Sequence, residues 1–502
     1  MKLADQVNRW TKQELKEASF YDVRDRKVIR DAVLDLNLFT EYEINVLDLP
    51  IIQRLRRIGQ TACAYLLYPS ATHNRFEHTL GVSIIAKKFI RALEIKEPGM
   101  MTGQHSSEIR LAAILHDVGH GPFSHVSESI YANFPEMKEQ YNNPKFSKCK
   151  PKPHEILSYL IVNSKSFKQF FEENMQKKNY RIIVDFQRMA NMIVGDMDNP
   201  FQAFLSDIIN GAFDSDKLDY IPRDCHFTGI KMGVDIDRIM YTISVDTQKT
   251  RGRQGLLIDL SGCPFVEQIL FNKMLLYSSI YHHHKVRAAE CMLKSIFEAA
   301  HDFKLKINGL RFNKVTDFLS VTDSDILSVQ GKPSELVPMV KNILNRSILK
   351  RALVISKSTI KIPTTVSKGK KDVEAKVKYK KLLELAKDPV QMRNIRELIV
   401  NEVGGEITVY DVWVDLPEPP SFREAKQALI KTGRDKPERL DRIFPISKWL
   451  ETYAENKWKG HVFCPPLSKI RKKVDDASRK VMKDVLGIEF NEDATRFAKW
   501  GY

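Results

Sequence analysis

The sequence predicts a mainly α protein: a helical core followed by a smaller α+β C-terminal region. Three observations carry this. From Ile44 to about His301 apolar residues recur at helical i, i+3, i+4 spacings. Beyond about Arg311 the texture changes, and Ile407–Leu416 alternates as a strand does before Pro417-Glu418-Pro419-Pro420 ends it. At 502 residues, 43% hydrophobic and 28% charged, the chain is long enough to bury a substantial core.

Taken in order, residues 1–43 read as an N-terminal helical extension, with a helix-like stretch from Trp10 to Ala18. Thr79–Leu93 sets Leu80, Ile84, Ile85, Phe89, Ile90 and Leu93 mostly on one helical face. Glu108–Asp117 is a second helix, broken by Gly119, Gly121 and Pro122. Further helices are expected at His154–Val162, Phe201–Asn210, Phe265–Tyr281 and Lys285–His301, with a short β hairpin at Gly255–Asp259. The core domain spans 44–305. Residues 306–502 form the α+β region, with an oligomerisation or regulatory role, and Asp475–Leu486 is helical.

No apolar run approaches the roughly 20 residues that span a bilayer, and Met1–Gln6 lacks a signal peptide's apolar stretch. A cytoplasmic protein with no membrane partner is expected. The six cysteines are scattered without a Cys-x-x-Cys pair, which argues against a zinc ribbon and, in a cytosolic setting, against a disulfide framework. The net charge of +16 favours anionic partners: nucleotides, polyphosphates or nucleic acid. For nucleic acid the candidate surfaces are Lys368–Lys381 and Lys469-Ile470-Arg471-Lys472-Lys473. A lysine run is more commonly a solvated loop.

The chemistry gathers at His78, the adjacent His116-Asp117 and Asp216. Two imidazoles and two carboxylates suit iron, manganese, zinc or cobalt better than calcium. Neighbours in sequence project about 100 degrees apart on a helix, so His116 and Asp117 share one ion only at a helix end or where their side chains swing together. The glycines at 119 and 121 supply such an end.

These residues resemble the H…HD…D signature of the HD-domain phosphohydrolase superfamily. The stretches Gln53-Arg54-Leu55-Arg56-Arg57-Ile58-Gly59-Gln60, His73-Asn74-Arg75-Phe76-Glu77-His78, His116-Asp117-Val118-Gly119-His120-Gly121-Pro122-Phe123-Ser124-His125 and Asp216-Lys217-Leu218-Asp219-Tyr220-Ile221-Pro222-Arg223-Asp224 resemble its deoxynucleoside triphosphate (dNTP) triphosphohydrolases. The resemblance covers about residues 44–300 and implies an HD-domain helical core that hydrolyses dNTPs to deoxynucleoside and inorganic triphosphate.

It further implies that His78, His116, Asp117 and Asp216 hold one transition metal, with magnesium on the triphosphate. Arg75 and Lys217 match phosphate contacts, Tyr220 and Asp224 match deoxyribose contacts, and Gln60 matches a sugar or base reader. His125 matches a general acid, within a network of His120, His154 and Glu128. Asp48, Gln53 and Arg56 match a regulatory guanine-nucleotide site, which implies a nucleotide activator and a homodimer or homotetramer.

The chain departs from the family in three places. The stretch Tyr281-His282-His283-His284-Lys285 leaves open whether Tyr281 or His282 faces the sugar. Met274 stands near a phosphate-binding arginine of the family, and Arg30–Asp35 differs ahead of the regulatory residues. Each assignment also has a structural alternative: an ion pair for Arg75, helix capping or packing for Tyr220 and Asp224, backbone bonding in the turn for His120 and His125. Two other functions compete, a different HD-domain nucleotide phosphohydrolase and a nucleic-acid binder with a secondary HD site.

Overall fold

In the computed structural model, which describes residues 1–23, 26–247, 252–363, 367, 370–433 and 436–500, helices dominate and the sheets are small. The chain folds into two compact units. The first comprises Met1–Lys273, Phe312–Ile326 and Phe422–Ser447; the second comprises Met274–Arg311, Leu327–Ser421 and the residues from Lys448 onward.

The first unit opens with α1 (Leu3–Glu14), whose buried Leu3, Val7, Trp10 and Thr11 form one stripe. That stripe sets the helix seven residues earlier than the expected stretch from Trp10 to Ala18. An antiparallel hairpin follows, β1 (Lys27–Asp31) and β2 (Asp35–Phe39), with Lys27 opposite Phe39 and Asp31 opposite Asp35. The reading of the first 43 residues as a helical extension leaves this hairpin out. Thr40 and Glu43 then form a capping box on α2 (Glu41–Leu47).

The core of this unit is α3 (Arg75–Lys96) packed against α4 (Gly103–Leu115) and α9, defined below. The Asn74 side chain caps α3 by accepting from the N–H groups of Phe76 and Glu77, which fixes where His78 falls. Thr102 caps α4, which runs Gly103–Leu115 instead of the expected Glu108–Asp117, so His116 and Asp117 lie just past its last turn. The short α5 (His125–Tyr131), α6 (Pro153–Asn163), α7 (Phe186–Val194) and α8 (Ala203–Ile209) follow. Then comes α9 (Ser215–Thr228), N-capped by Asp214.

Leu256–Asp259 is one strand of a wider hairpin than expected. As β4 it pairs antiparallel with the preceding strand β3 (Ile243–Val245) and parallel with β7 (Leu429–Lys431), which in turn pairs with β8 (Glu438–Arg439). The pairing with β7, so far along the chain, leaves no local signal. The expected helix at Phe265–Tyr281 is α10 (Cys263–Leu276) followed by one wider turn, Tyr277–Tyr281.

In the second unit α11 (His284–Asp302) accompanies the sheet β5-β9-β6. β5 (Lys350–Ile355) and β6 (Trp413–Asp415) each run antiparallel to the central β9 (Gly460–Cys464). Only three residues of the expected Ile407–Leu416 strand pair. Asp411 instead accepts the Thr408 backbone N–H at 2.8 Å and its hydroxyl at 2.7 Å, folding the segment's first half into a turn. Leu353, Leu382, Ile399, Val462, Val474 and Met482 form this unit's core between that sheet and α12 (Lys371–Leu385), α13 (Pro389–Val403) and α14 (Ser468–Leu486). α14 begins seven residues before the expected Asp475. Lys368 and Gly369 of the expected basic run lie outside the described residues. All six cysteines are free thiols.

Candidate functional site

Three elements of the first unit bring the predicted metal ligands together. The first turn of α3 carries His78, the end of α4 carries His116 and Asp117, and the first turn of α9 carries Asp216. His78 Nε2 lies 3.0 Å from Asp216 Oδ1 and 3.8 Å from Asp117 Oδ2, and His116 Nε2 lies 3.3 Å from Asp117 Oδ1. Potential ligand atoms of His78, His116 and Asp216 all fall within 4.8 Å of one another.

These residues fit a divalent ion. His78 Nδ1–H donates to Asp219 Oδ2 at 2.7 Å, and His116 Nδ1–H donates to the Ala113 carbonyl at 2.8 Å. Each bond leaves the opposite nitrogen as a lone pair directed inward. Both Nε2 atoms are buried and neither has a hydrogen-bond partner. Lone pairs facing carboxylate oxygens at these distances repel, and a cation among them removes the conflict. The same crowding acts on protonation. Burial disfavours a charged His78, but the carboxylates of Asp216 and Asp219 outweigh that and raise its pKa to about 10, so a proton competes with a metal ion for Nε2. Burial likewise opposes charge on Asp117, yet the fields of His116 and Arg75 hold its carboxyl well below the usual range.

A second group adjoins the first. Glu128 bridges two imidazoles, accepting from His125 Nδ1 at 2.5 Å and from His154 Nδ1 at 3.0 Å. His120 stacks on His154 with ring centroids 3.8 Å apart and meets His125 edge-on at 5.2 Å. His120, His125, Glu128 and His154 also place ligand atoms within 4.8 Å of one another. Burial and the charges of Arg75 and His154 push His120 well down, keeping it neutral. Burial opposes a charged His154 too, but the Glu128 carboxylate raises it. Asp117 stands between the groups, its Oδ1 3.5 Å from His120 Nε2 and 3.7 Å from His154 Nε2. A set of three imidazoles and one carboxylate is poor for magnesium, which prefers oxygen, and good for holding and moving protons.

The turn joining these groups is shaped by close approach and by strain. A Cβ on Gly119 would stand 2.2 Å from the His154 carbonyl oxygen and 2.7 Å from Leu157 Cβ, so only glycine lets the turn reach α6. Phe123 and Ser124 have φ of 55° and 53°, costly for residues with side chains.

The other predicted residues fall as follows. Arg75 is buried and occupied, donating Nη1 to Asp117 Oδ2 at 2.7 Å and Nε to Ser124 Oγ at 2.9 Å. Lys217 Nζ donates to Asp214 Oδ2 at 2.6 Å and to the Gly211 carbonyl at 3.0 Å. Gln60 is buried with Oε1 unpartnered, and its backbone N–H donates to the His73 carbonyl. Asp224 accepts from His73 Nε2 at 2.7 Å, both side chains buried, and Tyr220 is half-buried one turn before it on α9.

Asp48, Gln53 and Arg56 form an outward chain on the first unit. Gln53 Nε2 donates to Asp48 Oδ1 at 3.3 Å, and Arg56 Nε donates to Gln53 Oε1 at 2.8 Å. Tyr21 donates its hydroxyl to Asp48. Tyr281 and His282 belong to the second unit. There the rings of both pack on Tyr277, and burial with the Arg287 charge lowers His282 to about 4.

Several supporting residues escaped the sequence reading. Arg54 Nη2 donates to the Val118 and His120 carbonyls at 2.7 and 2.5 Å, holding the turn from beneath. Asp323 accepts the Gly59 N–H at 2.8 Å and the Phe123 N–H at 2.6 Å. Lys273 is buried and ion-paired with Glu424 at 2.5 Å, next to the position where Met274 stood out. Arg54, Asp219 and Arg223 sit inside the quoted motifs, so their presence was visible although their tasks were not. Asp323, 200 and 264 residues from its two partners, carries no local signal.

Comparison with known proteins agrees with this arrangement. The HD domain family matches residues 75–188, and the HD associated region matches residues 234–496, more than half of the chain. A protein of Methanocaldococcus jannaschii is 25% identical over 91% of this chain and 84% of its own length. The deoxynucleoside triphosphate triphosphohydrolase SAMHD1 homolog of Dictyostelium discoideum is 27% identical over 68% of this chain and 62% of its own length. The human deoxynucleoside triphosphate triphosphohydrolase SAMHD1 is 29% identical over 43% of this chain and 35% of its own length. The chain thus spans less than two thirds of either of these two triphosphohydrolases. With helices that gather His78, His116, Asp117 and Asp216 at one point and a matched associated region following them, the chain belongs to the HD-domain family that carries the HD associated region.

Proposed function

We propose that this chain is a metal-dependent nucleotide phosphohydrolase that converts dNTPs to deoxynucleoside and inorganic triphosphate. One observation supports the reading above others: the Asp117 carboxylate lies within 3.8 Å of the inward nitrogens of His78 and His116 and within 3.7 Å of those of His120 and His154, so it joins the candidate metal ligands to the histidine–Glu128 network. Hydrolysis of a phosphate ester needs charge neutralised at phosphorus and a proton delivered to the departing oxygen, and the two groups divide these tasks.

Water attacks the α-phosphorus, a new P–O bond forms, and the bond from that phosphorus to the 5′ oxygen breaks. A bound divalent ion (iron, manganese, zinc or cobalt by its ligand types) supplies Lewis acidity to the phosphate and to the attacking water. Magnesium, in this reading, arrives with the triphosphate. Arg75 and Lys217 supply fixed positive charge for the phosphates. His125, its ring 60% exposed and its Nδ1–H held by Glu128, presents Nε2 outward as the proton carrier to the 5′ oxygen. His154 and His120 back it within the same network. Asp224, fixed by His73, and Tyr220 face the sugar in this reading, and the unpartnered Gln60 Oε1 accepts from sugar or base. A guanine nucleotide on Asp48, Gln53 and Arg56 would drive assembly of dimers into tetramers.

The test is a panel of the four dNTPs with manganese, iron or magnesium, with and without a guanine nucleotide. Triphosphate release is expected from wild type, and none from Asp117→Ala. Release of orthophosphate alone would point to another HD-domain phosphohydrolase, and no turnover of any dNTP would reject the proposal. The nucleic-acid reading draws less support, because Lys473 and Lys480 of the basic C-terminal helix already pair with Glu406 and Glu402.

A further inference from the structure

We infer that Asp31, on the N-terminal hairpin, is a positioning residue for the metal-ligating imidazole of His78, acting through Arg223 and Asp219. The inference rests on His78 being a metal ligand and adds three residues from outside the ligand set. Four buried groups form the chain. His78 Nδ1–H donates to Asp219 Oδ2 at 2.7 Å. Arg223 grips the same carboxylate with both prongs, Nε to Oδ2 at 2.8 Å and Nη2 to Oδ1 at 2.9 Å. Arg223 Nη2 also lies 2.9 Å from Asp31 Oδ2. The side chains of His78, Asp219 and Arg223 have no exposure at all, and that of Asp31 has 3%.

Charge decides what each member does. An imidazole that gives its Nδ1 proton toward a carboxylate becomes a stronger donor at Nε2, which faces the ion. Asp219 alone would do this. With Arg223 bonded to it, however, the guanidinium neutralises Asp219 and weakens its pull on the imidazole. Asp31 supplies the compensating charge, so the buried trio keeps one net negative charge beside His78. Asp31 is itself fixed, because its Oδ1 accepts the N–H groups of Val33 and Leu34 at 2.8 Å each, within the turn that joins β1 to β2.

The packing shows that this contact is built in. A Cβ on Gly81, one turn beyond His78 on α3, would stand 1.8 Å from Asp219 Oδ1 and 2.4 Å from Arg223 Nη2. Only a glycine lets the Asp219–Arg223 pair lie against α3 at that height. The hairpin carrying Asp31 exposes Val28, Leu36 and Leu38 on its outer surface, at 58%, 58% and 44%. Anything that displaces the hairpin therefore reaches the metal ligand through three polar contacts.

The experiment measures manganese affinity by chelator competition on the full chain, for wild type, Asp31→Asn and Asp219→Asn, with the melting temperature of each metal-free protein alongside. Asp31→Asn keeps the side chain's shape and its turn bonds while removing its charge. We expect affinity to fall about 10- to 100-fold in Asp219→Asn and about 3- to 10-fold in Asp31→Asn. Should Asp31→Asn not fold, Asp31→Ser removes the charge while its hydroxyl can still accept the Val33 and Leu34 N–H groups, and is expected to show the same fall. Unchanged affinity in Asp31→Asn, whatever its melting temperature, would overturn the inference while leaving the metal site standing. A wild type that takes up no manganese would overturn both.

Discussion

At the scale of single residues, the account makes separable claims about the two groups flanking Asp117. Replacing His125 by Asn would remove the proposed proton carrier while leaving His78, His116, Asp117 and Asp216 in place. The expected result is a fall in kcat of about 10²- to 10⁴-fold with metal content unchanged, read by steady-state kinetics and metal analysis. Loss of metal together with activity would instead place His125 among the ligands. The types and order of His78, His116, Asp117 and Asp216 were legible in the sequence because ligand chemistry is restrictive and the family motifs are long. The engagement of Arg75 was not legible. The sequence offered a guanidinium for phosphate, whereas the folded chain holds it on Asp117 and Ser124. That partner choice depends on a turn with two residues at positive φ, which no local pattern encodes.

At the scale of elements, the turn from His116 to Ser124 depends on what packs against it. Gly119→Ala drives a methyl group into the His154 carbonyl and Leu157. Destabilisation of about 1–3 kcal/mol is expected, measured by urea unfolding. Asp323 holds the turn's other end, and burial, only partly offset by the Gly59 and Phe123 N–H groups, raises its carboxyl to about 7. A raised pKa means that the folded state binds a proton which the unfolded state has released. Stability from this group is therefore full below about pH 4 and is lost as pH rises to about 7, by at most about 1.4 kcal/mol per pH unit. Unfolding midpoints measured between these pH values should show that slope in wild type and a flatter one in Asp323→Asn; equal slopes would contradict the assignment. Helices with regular apolar periodicity, such as α3 and α6, were legible almost to their ends. The sheet β3-β4-β7-β8 was not, because it joins strands separated by well over 100 residues.

At the scale of the whole molecule, the two compact units interleave in sequence. The net charge of +16 gives a field that would attract the proposed polyanionic substrate. Raising salt from about 0.05 M to about 0.5 M shortens the screening length severalfold, so KM for dNTP is expected to rise while kcat changes less. A KM independent of salt would remove the charge from the account of substrate capture. Proposed cleavage between the α-phosphorus and the 5′ oxygen is tested by following the oxygen of water. In ¹⁸O-enriched water, phosphorus NMR of the products should show inorganic triphosphate carrying one label on a terminal phosphorus, with mass spectrometry showing an unlabelled deoxynucleoside. Label on the deoxynucleoside 5′ oxygen, or orthophosphate or pyrophosphate in place of triphosphate, would contradict it.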